Sequence, residues 1–167
     1  MDLLNFEGQD LYFDEPLDER VHALIADASE RYGEGSAEDP LLEARAMAPE
    51  SLTVLVALYR FYYYQHRLDD AVEIAEQALE ITARDLALPA DWRNLNEAHI
   101  ARVALHSMGL LRFHLLCLKA EAYLKLRLGA EDEGKQMLRK LAELDSSNRL
   151  GARELLAVVE TRLRVVA

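Results

Sequence analysis

Apolar side chains recur along this chain at intervals of three and four, the spacing of one helix face. Val21, Leu24, Ile25 and Ala28 form the first such stripe. Asp14 or Glu15 before Pro16 reads as its start, with proline at the first helical position, and Gly33 as its stop. Leu41, Leu42, Ala44 and Met47 mark a short second helix, capped by Ser36 or by Asp39 before Pro40. Pro49 opens a third helix, SLTVLVALYRFYYYQHR. Asp69-Asp70 opens a fourth, whose Ala71, Ile74, Ala75, Ala78 and Leu79 share one side. Leu88-Pro89-Ala90-Asp91 then interrupts the pattern. It resumes near 94–97 and runs, with a kink expected at Ser107-Met108-Gly109, to Leu128, where Gly129 stops it. Two further helices are expected over 131–144 and 149–166. No stretch alternates with period two between turn residues, so the reading is all-α, about seven helices and no sheet.

The stripes repeat. Ala37, Leu41, Ala44 and Pro49 stand 34 residues before Ala71, Ala75, Ala78 and Ala83. A third copy begins at Gly134, continues through Leu138 and Leu141, and closes on Asp145-Ser-Ser-Asn148. Small side chains at 37, 71 and 134 let paired helices approach closely, while Leu58, Tyr62 and Leu79 fill the space between pairs. A single pair cannot bury its apolar side alone, so stacking is obligatory. This spacing resembles the tetratricopeptide (TPR) repeat family. Leu55, Leu58, Tyr62, Ala71, Ala78 and Leu79 stand where that family has its large and small packing residues. The resemblance implies a TPR-like right-handed superhelix with a C-terminal capping helix. Its units are 16–50, 51–85 and a degenerate 110–148, with an insertion at 86–109 and a cap at 149–167. Relative to the second unit, the third helix–helix turn reads as two residues longer.

Charge is unevenly placed. Residues 1–50 carry 14 acidic and 3 basic side chains, which accounts for the whole net charge of −11. Such a surface repels phosphate backbones and disfavours nucleic acid. Residues 1–15, MDLLNFEGQDLYFDE, join that acidity to Leu3, Leu4, Phe6, Leu11, Tyr12 and Phe13. They are expected to pack across the first helices, with a self-binding or partner-binding peptide as the alternative. The beginning of the chain lacks the basic-then-apolar pattern of a signal peptide, and 108–118 is too short and too charged to span a bilayer. The expected compartment is the cytoplasm.

In a TPR-like array the first helix of each pair lines a concave groove. The resemblance places Thr53, Val56, Arg60, Tyr63 and Tyr64 there. A guanidinium beside tyrosines suits an extended peptide, one partner for carboxylate and the other for apolar contact. Arg112, Lys119 and Lys125 add cations along the helix over 110–128, which favours an acidic or C-terminal carboxylate ligand. The family's carboxylate-clamp pattern of Lys and Asn is not reproduced. His99 with His106, and His114 with Cys117, could pair as metal ligands, but no carboxylates are patterned with them, and no metal or cofactor is expected. Cys117 sits in LLCLK and reads as a small packed hydrophobe, and no phosphate loop, G-x-S-x-G or HExxH is present. The expectation is a non-enzymatic adaptor or assembly chaperone that binds a polypeptide segment. Two alternatives stand beside it. One is a self-associating homodimer. The other follows from LYRFYYYQHRLDDA and SMGLLRF, which resemble small repeat proteins accompanying metalloenzyme maturation, with nitrogenase as one candidate.

Overall fold

Three of the helix starts in this chain, those of the helices at 19–30, 52–64 and 97–104, are made by short polar side chains that accept from backbone N–H groups left without helical partners. Asp18 accepts from Arg20 N at 2.8 Å, Ser51 Oγ from Val54 N at 3.3 Å, and Asn96 from His99 N at 3.1 Å. The computed structural model describes residues 15–31 and 35–166, the last five of these as backbone. Among the described residues there are eight α-helices, two 3-10 turns and no strand. The helices are α1 (Glu19–Glu30), α2 (Glu38–Met47), α3 (Leu52–Tyr64), α4 (Leu68–Asp85), α5 (Glu97–Ala104), α6 (Met108–Arg127), α7 (Glu131–Leu144) and α8 (Ala152–Val166).

Chain neighbours pack on one another from α1 to α4, and α6, α7 and α8 do the same. The exception is α5, which lies against α6 while α4 packs directly on α6. Residues 86–107 therefore leave the stack and rejoin it.

The repeat spacing is visible in burial. Leu41, Ala44, Ala75, Ala78, Leu138 and Leu141 are all buried, the first two 34 residues before the second two and those 63 before the last two. Ala37 and Ala71 are wholly buried. The helix–helix turns also match. Three residues separate α3 from α4 and three separate α6 from α7. Each turn has one left-handed residue, His66 (φ 57°) or Gly129 (φ 89°), and a closing bond spanning five residues, Arg67 N to Tyr62 O and Ala130 N to Lys125 O, both 2.9 Å. The two turns are thus equal in length, contrary to the longer third turn expected from sequence.

Two other expectations are corrected. The first helix begins at Glu19, not at Pro16, because Glu15 is turned away to the start of α3 (below). The expected kinked helix is two helices, with α5 ending at Ala104 and α6 starting after Ser107. Gly109 lies inside the first turn of α6 and breaks nothing.

Close approach is most demanding at Gly134. A Cβ there would meet Leu126 Cγ at 2.7 Å and the Ala122 carbonyl oxygen at 2.8 Å. Alanine is favoured over glycine inside a helix by about 1 kcal/mol. Pushing α6 from α7 costs about 1–3 kcal/mol. Gly134→Ala is therefore expected to lower stability by about 1 kcal/mol with unchanged helix content, read by urea unfolding followed by circular dichroism. A more stable variant would show that these helices do not nest.

Candidate functional site

The sequence that makes α3 is apolar on nearly all sides, and one strip of it is only partly covered. Val56, Arg60 and Tyr63 are half-buried, and Tyr64 is 49% exposed. Tyr59 stacks on Tyr63 with ring centroids 6.1 Å apart, and Tyr63 meets Tyr64 edge-on at 5.8 Å. These rings form a rigid aromatic ladder along one side of the helix. Tyr62 belongs to another face. It sits under the Arg67 guanidinium and donates to Glu38 at 3.3 Å, towards α2.

Helix α6 lies alongside this strip. Leu55, Val56, Tyr59 and Arg60 of α3, Ile74, Ala75 and Ala78 of α4, and Phe113 and Cys117 of α6 line one apolar pocket, so α4 forms the floor between two walls. Further along, Arg127 reaches over the Tyr123 ring and donates to its hydroxyl at 3.1 Å. The single charged group at the pocket is Arg60, whose Nε is buried without a hydrogen-bond partner.

The equal turns fix which α6 residues correspond to the strip on α3. Adding 63 carries Val56, Arg60, Tyr63 and Tyr64 to Lys119, Tyr123, Leu126 and Arg127. Tyr123, Leu126 and Arg127 were not anticipated, yet the 63-residue spacing from Ala71 to Gly134 would have found them. The same spacing carries Tyr62 to Lys125 and Leu58 to Glu121, which are interior positions.

The expected cations distribute accordingly. Lys125 is largely buried, with its ammonium 2.9 Å from Glu121, 3.1 Å from Glu133 and 3.4 Å from Glu76. Burial works against its charge, but hydrogen bonds and attraction from Glu121 and Glu133 outweigh that and raise its pKa. Lys119 is buried and donates to the Leu150 carbonyl, tying α6 to the turn before α8. Burial lowers its pKa against the pull of Glu154 and Asp145. Neither ammonium faces the strip as a free charge. Arg112 is exposed in the second turn of α6, before the positions that match α3. Thr53 stands where the strip begins, and its backbone N–H donates to Glu15 at 3.0 Å.

The histidines do not converge. His106 is exposed, His99 is half-buried and His114 is buried on α6 against Thr82 of α4. No three His, Cys, Asp or Glu side chains among the described residues are placed to hold a metal ion. Cys117 is buried, and desolvation, then Glu121, pushes its thiol pKa up, which removes thiolate reactivity. His114 lies 2.8 Å from Thr82 Oγ1 through Nδ1. The Thr82 hydroxyl is committed to the Ala78 carbonyl at 2.8 Å, so Nδ1 donates and Nε2 is left as a bare acceptor. His114 lines a second cavity of about 170 Å³ with Glu76, Glu80, Glu121 and Trp92.

Leu105 and Met108, at the corner between α5 and α6, are exposed. No helix among the described residues is long and apolar enough to cross a membrane.

The uncharacterized 19.8 kDa protein in the nifW 5′ region of Azotobacter chroococcum mcd 1 is 55% identical to this chain over 159 residues, which is 95% of this chain and 89% of that protein. This chain belongs to the same family. No family model matches the chain, and no solved structure matches it.

Proposed function

We propose that this chain is a TPR-like binding protein that holds a polypeptide segment along the face shared by α3 and α6, in the service of metalloenzyme maturation during nitrogen fixation. The observation that carries the first part is the aromatic ladder of Tyr59, Tyr63 and Tyr64 beside an apolar pocket lined by the half-buried Arg60. Rigid aromatic surface gives contact area at low entropic cost, and a partly buried guanidinium rewards a carboxylate placed against it. The matching burial at spacings of 34 and 63 supports reading the three helix pairs as one TPR-like array, whose first helices would line its concave side. Catalysis has no support in the reactive groups, since Cys117 is buried with a raised pKa and His114 is buried and uncharged. The second part rests on the relative, which is encoded beside nifW.

The test is affinity purification from cells grown under nitrogen-fixing conditions, comparing the natural chain with Arg60→Ala/Tyr64→Ala. Both substitutions lie on a half-open surface, and a thermal melt checks that the fold is retained. A partner retained by the natural chain is expected to fall at least about tenfold in yield with the variant. The same proteins in the same amounts from both would remove this face from the account. Capture only of proteins unrelated to metal-centre assembly would remove the second part.

A further inference from the structure

We propose that residues 1–14 of this chain dock on its own α3–α6 face and act as a tethered competitor for the partner. The inference rests on reading that face as a polypeptide site, and it concerns a segment outside the described residues. Its first support is where the described chain begins. The Glu15 carboxylate accepts from Ser51 Oγ at 2.8 Å, Thr53 N at 3.0 Å and Leu52 N at 3.2 Å. The two backbone donors, Leu52 and Thr53, are N–H groups that the first turn of α3 leaves without helical partners, and a carboxylate there is also favoured by the helix dipole. Glu15 is thereby pinned at the end of the strip, next to Thr53. Whatever precedes it starts its path at the mouth of the groove.

Reach is sufficient. The 13 residues of α3 extend about 20 Å at 1.5 Å per residue. Fourteen residues cover about 45 Å when extended and about 20 Å when helical, so the segment spans the strip in either form.

The chemistry is complementary. The segment MDLLNFEGQDLYFD carries Leu3, Leu4, Phe6, Leu11, Tyr12 and Phe13, and its charges are Asp2, Glu7, Asp10 and Asp14 with no Lys or Arg. The face offers aromatic and aliphatic surface at Val56, Tyr59 and Tyr63, and its charged side chains are the cations Arg60 and Arg127. The unpartnered Arg60 Nε is a buried donor of the kind an acidic segment satisfies. A tether this short holds the segment at an effective concentration of about millimolar, so weak intrinsic binding still fills the site. An incoming partner then meets a face that is free only for the fraction of time the segment is off.

The experiment uses the full chain and a dye-labelled synthetic peptide of residues 1–14 as the probe, read by fluorescence anisotropy. Three proteins are compared: the natural chain, Leu4→Asp/Phe6→Asp, and that double variant with Arg60→Ala/Tyr64→Ala added. The natural chain is expected to bind the probe at least about tenfold more weakly than Leu4→Asp/Phe6→Asp, whose own segment no longer competes. Adding Arg60→Ala/Tyr64→Ala is expected to abolish the gain. Equal probe affinity for the natural chain and Leu4→Asp/Phe6→Asp overturns the proposal. So does a gain that survives Arg60→Ala/Tyr64→Ala, which would put the segment elsewhere. A natural chain that sediments as a dimer, with Leu4→Asp/Phe6→Asp a monomer, also overturns it by placing the segment on a second copy. These outcomes are separate from partner capture, which can depend on Arg60 and Tyr64 whether or not the segment competes.

Discussion

Lys125→Met is expected to destabilise the protein by about 3–5 kcal/mol at neutral pH, measured by denaturant unfolding. The cost does not come from losing a surface ion pair, which would be worth little. It comes from Glu121, whose side chain is 6% exposed and whose nearest cation is Lys125. Without that ammonium a carboxylate is left in the interior near Glu76 and Glu133. Burial already raises the Glu121 pKa against the pull of Lys125. The penalty should therefore shrink in acid, as Glu121 takes up a proton. Glu121 and Lys125 occupy the positions that Leu58 and Tyr62 hold in the preceding pair. Restoring that apolar pattern with Glu121→Leu/Lys125→Met should recover most of the loss, since a buried ion pair replaced whole is often neutral or stabilising. A Lys125→Met cost below about 1 kcal/mol would show that water reaches Glu121 freely.

Acid is expected to weaken the fold through His114 by up to about 3 kcal/mol. Burial pushes its pKa down to about 4, against about 6.5 in the unfolded chain. The folded protein holds His114 neutral, and the unfolded chain binds the proton first. Its contribution is intact above about pH 6.5, falls by about 1.4 kcal/mol per pH unit below that, and levels off near pH 4. Glu121 acts in the opposite sense, because a raised carboxylate pKa makes the folded state the better proton acceptor. The difference between the natural chain and His114→Asn isolates the histidine. The variant should show a flatter stability curve between pH 4 and 6.5. Parallel curves would mean that His114 is hydrated in the folded state.

The elements were largely legible because helix periodicity, short polar caps and glycine stops are local signals. The span 131–144 is the clearest case, with three acidic residues at its start and a stripe at Gly134, Leu138 and Leu141. What escaped was set by contacts distant in sequence. Glu15 looks like part of a helix start beside Pro16, yet its carboxylate is held 36–38 residues away at Ser51, Leu52 and Thr53. The Thr82–His114 bond spans 32 residues and has no sequence signature. The half-covered strip on α3 follows from helix period alone, whereas its counterpart on α6 depends on the length of a distant turn. Treating the third turn as longer left the register of α6 open, so its cations were assigned to the groove by charge alone. With equal turns, Lys125 falls where Tyr62 does, facing its own paired helix, and charge there means an interior network instead of a ligand contact.

The claim on which the functional account depends is that the α3–α6 face contacts another polypeptide. It is tested most directly by placing a photo-cross-linking phenylalanine analogue at position 64, and separately at the exposed Val158 on α8, in cells fixing nitrogen. The account predicts an adduct heavier than the chain itself from position 64, mapping to one defined segment of one partner, and none from position 158. No intermolecular adduct from position 64, or the same adducts from both positions, would contradict it.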